Sequence, residues 1–219
     1  MKLKLDSKRA LVTGASAGIG SAIAEVLARE GARVLVHGRN SGRIRDVVDR
    51  IASAGGNAVA IEGDLATDDG AVEVYSKAKV AFGGIDILIN NAGAYEARSW
   101  FETTSATWRK FFETDVLSAV RLILAVVPDM RQAGWGRIVN VATGMATTPQ
   151  VVMADYAAVK AAMVNSTVSL AKALAGTGVT ANTVSPGVIQ YRRGGTRLTR
   201  GRSTPRMGRR LGDNPTPLV

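Results

Sequence analysis

Short apolar runs rich in β-branched residues alternate along the chain with longer stretches whose apolar positions recur at helical spacing. The runs predict strands over Arg9–Val12, Arg33–His37, Ala58–Glu62, Ile85–Asn90, Arg137–Ala142 and Val179–Ser185. The periodic stretches predict helices over Ile19–Glu30, Arg43–Ala54, Asp68–Phe82, Thr104–Gln132 and Ala154–Ala175. Gly31, Gly55, Gly134 and Gly178 stand where these helices end. Strand and helix in strict alternation imply parallel strands joined by right-handed crossovers. The strands are apolar almost throughout, which suits a sheet with helices on both faces. The pattern therefore predicts an α/β fold, a doubly wound parallel sheet.

The 219 residues are enough for one such domain, with 46% hydrophobic and 21% charged positions. No cysteine is present, so no disulfide staples the fold, and a reducing cytoplasmic setting is expected. Apolar runs such as Leu122–Val127 fall far short of the roughly 20 residues that cross a bilayer. The opening MKLKLDSKRALVTG leads straight into a glycine loop, so it is read as a first strand and not as a signal peptide.

The net charge of +10 is unevenly spread. Residues 191–219 hold eight arginines against one acid, Asp213, which leaves the first 190 residues at only +3. No basic helix face or recognition motif accompanies the charge, so nucleic-acid binding by the domain is disfavoured. The same tail has no Ala, Ile, Phe or Trp. Such a segment cannot bury enough apolar surface to offset its ordering entropy. The boundary is therefore set at 1–190 for a dinucleotide-binding catalytic domain and 191–219 for a basic, disordered tail. The abrupt change predicts a shifted reading frame or an altered gene end, a matter for translation of the DNA in its other frames.

The first predicted strand runs into Thr13-Gly14-Ala15-Ser16-Ala17-Gly18-Ile19-Gly20 and then a helix. Gly14 permits the tight turn, Gly18 a close approach of backbone to a diphosphate, and Gly20 close packing of helix on sheet. The helix N-terminus adds free N–H groups and partial positive charge. At the first strand-to-helix turn this cluster reads as a dinucleotide cradle. The second strand ends His37-Gly38-Arg39-Asn40, with no acid for the ribose hydroxyls of NAD. Arg39 suits a 2′-phosphate instead. NADP(H) is thus the expected cofactor, with NAD(H) as the alternative, and no metal is called for. His37 is read as a strand-end residue.

Further along stand Asp64-Leu65, Asn90-Asn91-Ala92-Gly93, Tyr156-Ala157-Ala158-Val159-Lys160 and Pro186-Gly187. Together with the glycine loop, these resemble the ordered motifs of the short-chain dehydrogenase/reductase family, in its 3-oxoacyl-carrier-protein-reductase-like form, over residues 5 to 190. The resemblance implies a Rossmann-type sheet of strand order 3-2-1-4-5-6. It implies cofactor contacts for Gly14, Ser16, Gly18, Ile19, Gly20, Asp64, Leu65, Asn91, Ala92, Gly93, Pro186, Gly187 and Ile189, with Tyr156 and Lys160 holding the nicotinamide half. It also implies pairing into a homo-dimer or tetramer through the two long helices.

The chemistry of Tyr156 and Lys160 can be argued independently. Four residues apart on a helix, they share a face. A tyrosine near its ordinary value of about 10 exchanges protons poorly at neutral pH. A neighbouring ammonium is expected to lower it, letting Tyr156 act as acid or base at a carbonyl. By resemblance Thr143 takes the place of a serine that orients the carbonyl. Asp115 takes the place of an asparagine that holds a relay water; a carboxylate accepts hydrogen bonds but donates none, and its charge near Lys160 is expected to cancel part of the lysine's effect on Tyr156. Tyr191 stands where a threonine is expected, and no seventh strand follows.

The leading reading is an NADP(H)-dependent oxidoreductase interconverting a ketone or 3-oxoacyl-type carbonyl and an alcohol by hydride transfer. The alternative is a catalytically impaired, cofactor-binding relic acting as a dimerising or binding protein. A small-molecule substrate, no membrane and no nucleic acid are the expected partners.

Overall fold

Six parallel strands carry the site, hydrogen-bonded in the order β3-β2-β1-β4-β5-β6. In the computed structural model, which describes residues 3–187, they are β1 (Arg9–Val12), β2 (Arg33–Gly38), β3 (Asn57–Glu62), β4 (Ile87–Asn90), β5 (Gly136–Val141) and β6 (Val179–Val184). The helices between them are α1 (Gly18–Arg29), α2 (Ser41–Ser53), α3 (Asp68–Phe82), α4 (Ser105–Phe111), α5 (Ser118–Gln132) and α6 (Ala154–Ala173). The sheet and its order are those expected from the sequence. The expected tail and Ile189 lie outside the described residues. No described helix is long and apolar enough to cross a membrane.

Alternation along each strand divides the core in two. Leu11, Leu35, Leu88 and Ile138 turn to one face, against Val74 and Phe82 of α3 and Leu122 and Val126 of α5. Ala10, Val12, Val34, Val36, Ile87 and Ile89 turn to the other, against Ala24 and Ala28 of α1 and Ile44, Val47 and Ile51 of α2. Both faces of the sheet are thus covered, which is why the strands are apolar without a polar face.

The predicted helix Thr104–Gln132 is broken. Between α4 and α5, residues Phe112–Leu117 form a π-helical segment. Hydroxyls supply the local cause. Thr114 Oγ1 shares its one proton between the Lys110 carbonyl at 2.9 Å and Asp115 Oδ2 at 3.0 Å, and Ser118 Oγ donates to the Thr114 carbonyl at 2.7 Å. These bonds load the carbonyls around a wider turn, a form that in general gathers at functional sites. Asp115 sits in this segment, fully buried.

Candidate active site

Every strand delivers residues to one end of the sheet. Gly14 follows β1, Arg39 follows β2, Asp64 follows β3, Asn91–Gly93 follow β4, Thr143 follows β5 and Pro186 follows β6. In open parallel sheets this carboxyl edge is where ligands bind.

The glycine loop is held by buried side chains. Thr13 Oγ1 donates to the Ile89 carbonyl and accepts from the Asn91 and Ala92 N–H groups at 2.9 Å each. Asn91 Nδ2 donates to the Thr13 and Gly14 carbonyls at 3.0 and 3.1 Å. Asn91, expected as a cofactor contact, therefore braces the loop from behind. A Cβ on Gly20 would lie 2.5 Å from Asn91 Nδ2 and from the Gly14 carbonyl oxygen, so only glycine fits. Gly14 adopts φ +62° against Ala92, a left-handed turn that other residues resist.

The first turn of α1 has no side-chain cap and no acid. By contrast, Asn40 caps α2, and Thr67 caps α3 above Asp68 and Asp69. The N–H groups at the start of α1, around Gly18, Ile19 and Gly20, are left for an anion. In front of the loop lies a cavity of about 310 Å³, lined by Gly14, Ser16, Arg39, Asp64, Leu65, Ala92 and Gly93 among others. Its size and lining fit the adenylate half and diphosphate of a dinucleotide. Arg39 lines the same cavity with its neighbour Gly38.

Sequence reasoning missed several members of this wall: His37, Ala66, Ala94, Lys110 and Thr114 also line the cavity, together with Gly38, which was expected to leave room beside Arg39. Lys110 arrives from the end of α4 and Thr114 from the π-helical segment, and their spacing in the chain gave no sign of it. His37 is buried, with Nε2 at 3.2 Å from the Gly63 carbonyl oxygen, and Nδ1 has no partner. Burial pushes the imidazole down to about 4, so the ring is neutral at pH 7.

The second cluster joins α6, the π segment and the loops after β4 and β5. Lys160 is buried and donates to the Val141 carbonyl at 3.1 Å. Its Nζ lies 3.1 Å from Asp115 Oδ1, as an ion pair without an aligned hydrogen bond. Asp115 Oδ2 accepts from the Ala94 N–H and from Thr114 Oγ1. Gly93 faces both charges, and a Cβ there would lie 2.5 Å from Asp115 Oδ1.

Tyr156 lies beside this pair, its ring centroid 5.8 Å from Lys160 Nζ and 6.0 Å from the ring of Tyr95. Burial raises the phenol above its ordinary value, and the Asp115 charge raises it further. The Thr143 hydroxyl works in the opposite sense. The expectation that Lys160 would lower Tyr156 is therefore corrected: the ammonium is engaged by a carboxylate, whose charge reaches the phenol as well. Thr143 itself opens a short 3-10 turn and accepts from the Met145 N–H at 3.4 Å. The Gly144 N–H donates to the Pro186 carbonyl at 3.2 Å, which ties the turn after β6 to the Thr143 loop. A Cβ on Gly187 would meet open space, so no close approach fixes that residue.

A further ion pair escaped the sequence reading. Asp155, fully buried, accepts from the Tyr156 N–H through Oδ1 and from Arg98 Nη1 at 2.9 Å through Oδ2. Arg98 also pairs with Glu96, and its carbonyl accepts from the Met153 N–H.

The short chain dehydrogenase family matches residues 8–197. The uncharacterized oxidoreductase YvaG of Bacillus subtilis is 38% identical over 189 residues, 85% of this chain and 70% of its own length. The 3-oxoacyl-[acyl-carrier-protein] reductase FabG of Vibrio cholerae is 38% identical over 190 residues, 86% of this chain and 76% of its own. L-sorbose reductase from Gluconobacter frateurii, in a crystal structure with NADPH and L-sorbose, superimposes with a TM-score of 0.84 at 33% identity, covering 87% of this chain and 73% of that one. With glycine cradle, Tyr156 and Lys160 gathered at one sheet edge, and with matches of this extent, the chain belongs to the short-chain dehydrogenase family.

Proposed function

We propose that this protein interconverts a ketone or 3-oxoacyl-type carbonyl and the corresponding alcohol, with NADP(H) as redox partner. The observation that carries the reading is the shared edge of the sheet: an uncapped helix N-terminus behind a glycine cradle, and a half-buried Tyr156 beside Lys160. NADPH and L-sorbose in the related reductase, and the 3-oxoacyl substrate named for the Vibrio relative, support the cofactor and the substrate class.

When bound, the nicotinamide supplies the hydride that adds to the carbonyl carbon. The cradle residues Gly14, Ser16, Gly18, Ile19 and Gly20 hold the diphosphate, Arg39 pairs with the 2′-phosphate, and Asp64 and Leu65 flank the adenine. Ala92 and Gly93 would wall the cofactor, Pro186 and Gly187 would meet its nicotinamide end, and Ile189, outside the described residues, is a further proposed contact. Tyr156 gives its Oη proton to the carbonyl oxygen and later regains one from solvent. Thr143 orients the carbonyl through its hydroxyl, Lys160 holds the ribose, and Asp115 supports a relay water. In the reverse direction Tyr156 removes the alcohol proton.

Pairing of two copies through α5 and α6 fits the exposed Leu124 and Val168 on those helices, and light scattering of the full chain against Leu124→Lys tests it. A cytoplasmic setting accords with a chain lacking cysteine.

The test is NADPH oxidation by the full chain with a panel of ketones and 3-oxoacyl thioesters. Turnover that Tyr156→Phe abolishes supports the reading. Cofactor binding without turnover on any carbonyl favours the relic.

A further inference from the structure

The position of Asp115 has a consequence for the direction of proton transfer. This residue is a carboxylate where the family resemblance calls for a neutral amide, and the π-helical segment carries it into the core beside Lys160. Both side chains are almost wholly shielded from water, 0% exposed for Asp115 and 4% for Lys160. Coulomb interactions in such a place are weakly screened, so the two charges act at short range as a neutral unit.

Asp115 is held there firmly. The Ala94 N–H and the Thr114 hydroxyl occupy Oδ2, which leaves Oδ1 for Lys160. On its other side Lys160 donates to the Val141 carbonyl. Neither charge has a solvent-exposed route to turn away.

The titratable and charged groups that face Tyr156 can be enumerated from each neighbouring element. Tyr95 comes from the loop after β4, Asp115 from the π segment and Lys160 from α6 itself. Next along α6, Asp155 is closed off by Arg98, which brings Glu96 with it. After Lys160 and Asp115 cancel, and Arg98 and Asp155 likewise, no unbalanced cation is left at the phenol among the described residues. A phenolate gains nothing from these neighbours, and a half-buried phenol is favoured as the neutral form.

We propose that Asp115 balances the charge of Lys160 and so keeps Tyr156 as the neutral phenol, setting this site to give a proton to a carbonyl and to take one from an alcohol only at more alkaline pH. The proposal rests on the reading of Tyr156 as the acid. Asp115 is then a positioning residue: it acts on Tyr156 through charge and touches no substrate. The raised ionisation of Tyr156, caused first by burial and then by Asp115, agrees in direction. The reaction keeps its balance. The proton on Oη goes to the carbonyl oxygen as the hydride reaches carbon, and the phenolate left behind is reprotonated from water.

The experiment is an alkaline titration of phenolate absorbance in the full chain without added cofactor. Wild type, Tyr156→Phe, Asp115→Asn and the double variant are compared, and Tyr156 is isolated from the other three tyrosines by subtraction. Tyr156 should ionise above the ordinary tyrosine value in the wild type and at lower pH once Asp115→Asn leaves Lys160 unbalanced. The pH limb of alcohol oxidation should move down with it, the rate below that limb rising about tenfold per pH unit of displacement. Tyr156 ionising below the ordinary value in the wild type, or an Asp115→Asn midpoint that stays or rises, overturns the proposal. If Asp115→Asn does not fold, the difference between wild type and Tyr156→Phe decides alone. Turnover that survives Tyr156→Phe sinks the reading of the acid instead, and is seen in a separate assay.

Discussion

Lowering the pH should weaken this fold through one histidine. His37 is 3% exposed, and its folded value lies at about 4 against an ordinary 6.5. Burial is the largest cause. The Gly63 carbonyl and Asp64 pull upward, and Arg39 and Lys77 push down. Between those two values the unfolded chain takes up a proton that the folded chain refuses. The contribution is therefore whole above pH 6.5 and is lost progressively as pH falls towards 4. At about 1.4 kcal/mol per pH unit, the full loss is roughly 3 kcal/mol, of which about 2 kcal/mol has gone by pH 5. Urea unfolding of the full chain at pH 7 and pH 5 reads it directly. Acids that favour the folded state when ionised, such as Asp86 held low beside Arg9, contribute equally in a His37→Gln variant. The wild type should lose about 2 kcal/mol more than that variant over this interval. Equal losses in the two proteins would refute the argument.

Three further outcomes are expected. Arg39→Ser should weaken NADPH binding by about ten- to a hundredfold, the worth of a charge-assisted phosphate contact, and leave NADH binding nearly unchanged; fluorescence titration of both cofactors checks it. Asp155→Ala should cost about 1–3 kcal/mol in urea unfolding because the Tyr156 N–H loses its acceptor and Arg98 keeps only Glu96, whereas Asp155→Asn, which keeps that acceptor, should cost less. Gly93→Ala should lose about 1–3 kcal/mol of stability, since its methyl group would lie 2.5 Å from Asp115 Oδ1; thermal unfolding beside NADPH oxidation rates checks both effects.

The sheet was legible because its signals are local. A buried parallel strand is an apolar run, and the residue that follows it faces the site by topology; Gly14 and Arg39 were found that way, and Asp64, Gly93 and Thr143 through the family resemblance. What escaped depends on contacts distant in sequence. The Arg98–Asp155 pair spans 57 residues, and neither partner carries a motif. The π segment follows from where the Thr114 and Ser118 hydroxyls turn, and helical periodicity does not report that. The sign of the Tyr156 shift was misread for the same reason. Lys160 alone predicts a lowered phenol; Asp115 was expected to cancel only part of its effect, and the buried pair with burial of the ring turns the sign.

The central claim is hydride exchange between a bound nicotinamide and a carbonyl carbon, with Tyr156 supplying the proton. NADPH carrying deuterium at the transferable position, incubated with the full chain and a ketone that it turns over, tests this most directly. The account predicts an alcohol product labelled on the former carbonyl carbon by the wild type, and no labelled alcohol from Tyr156→Phe. Alcohol formed without the label, or labelled equally by both proteins, would contradict it.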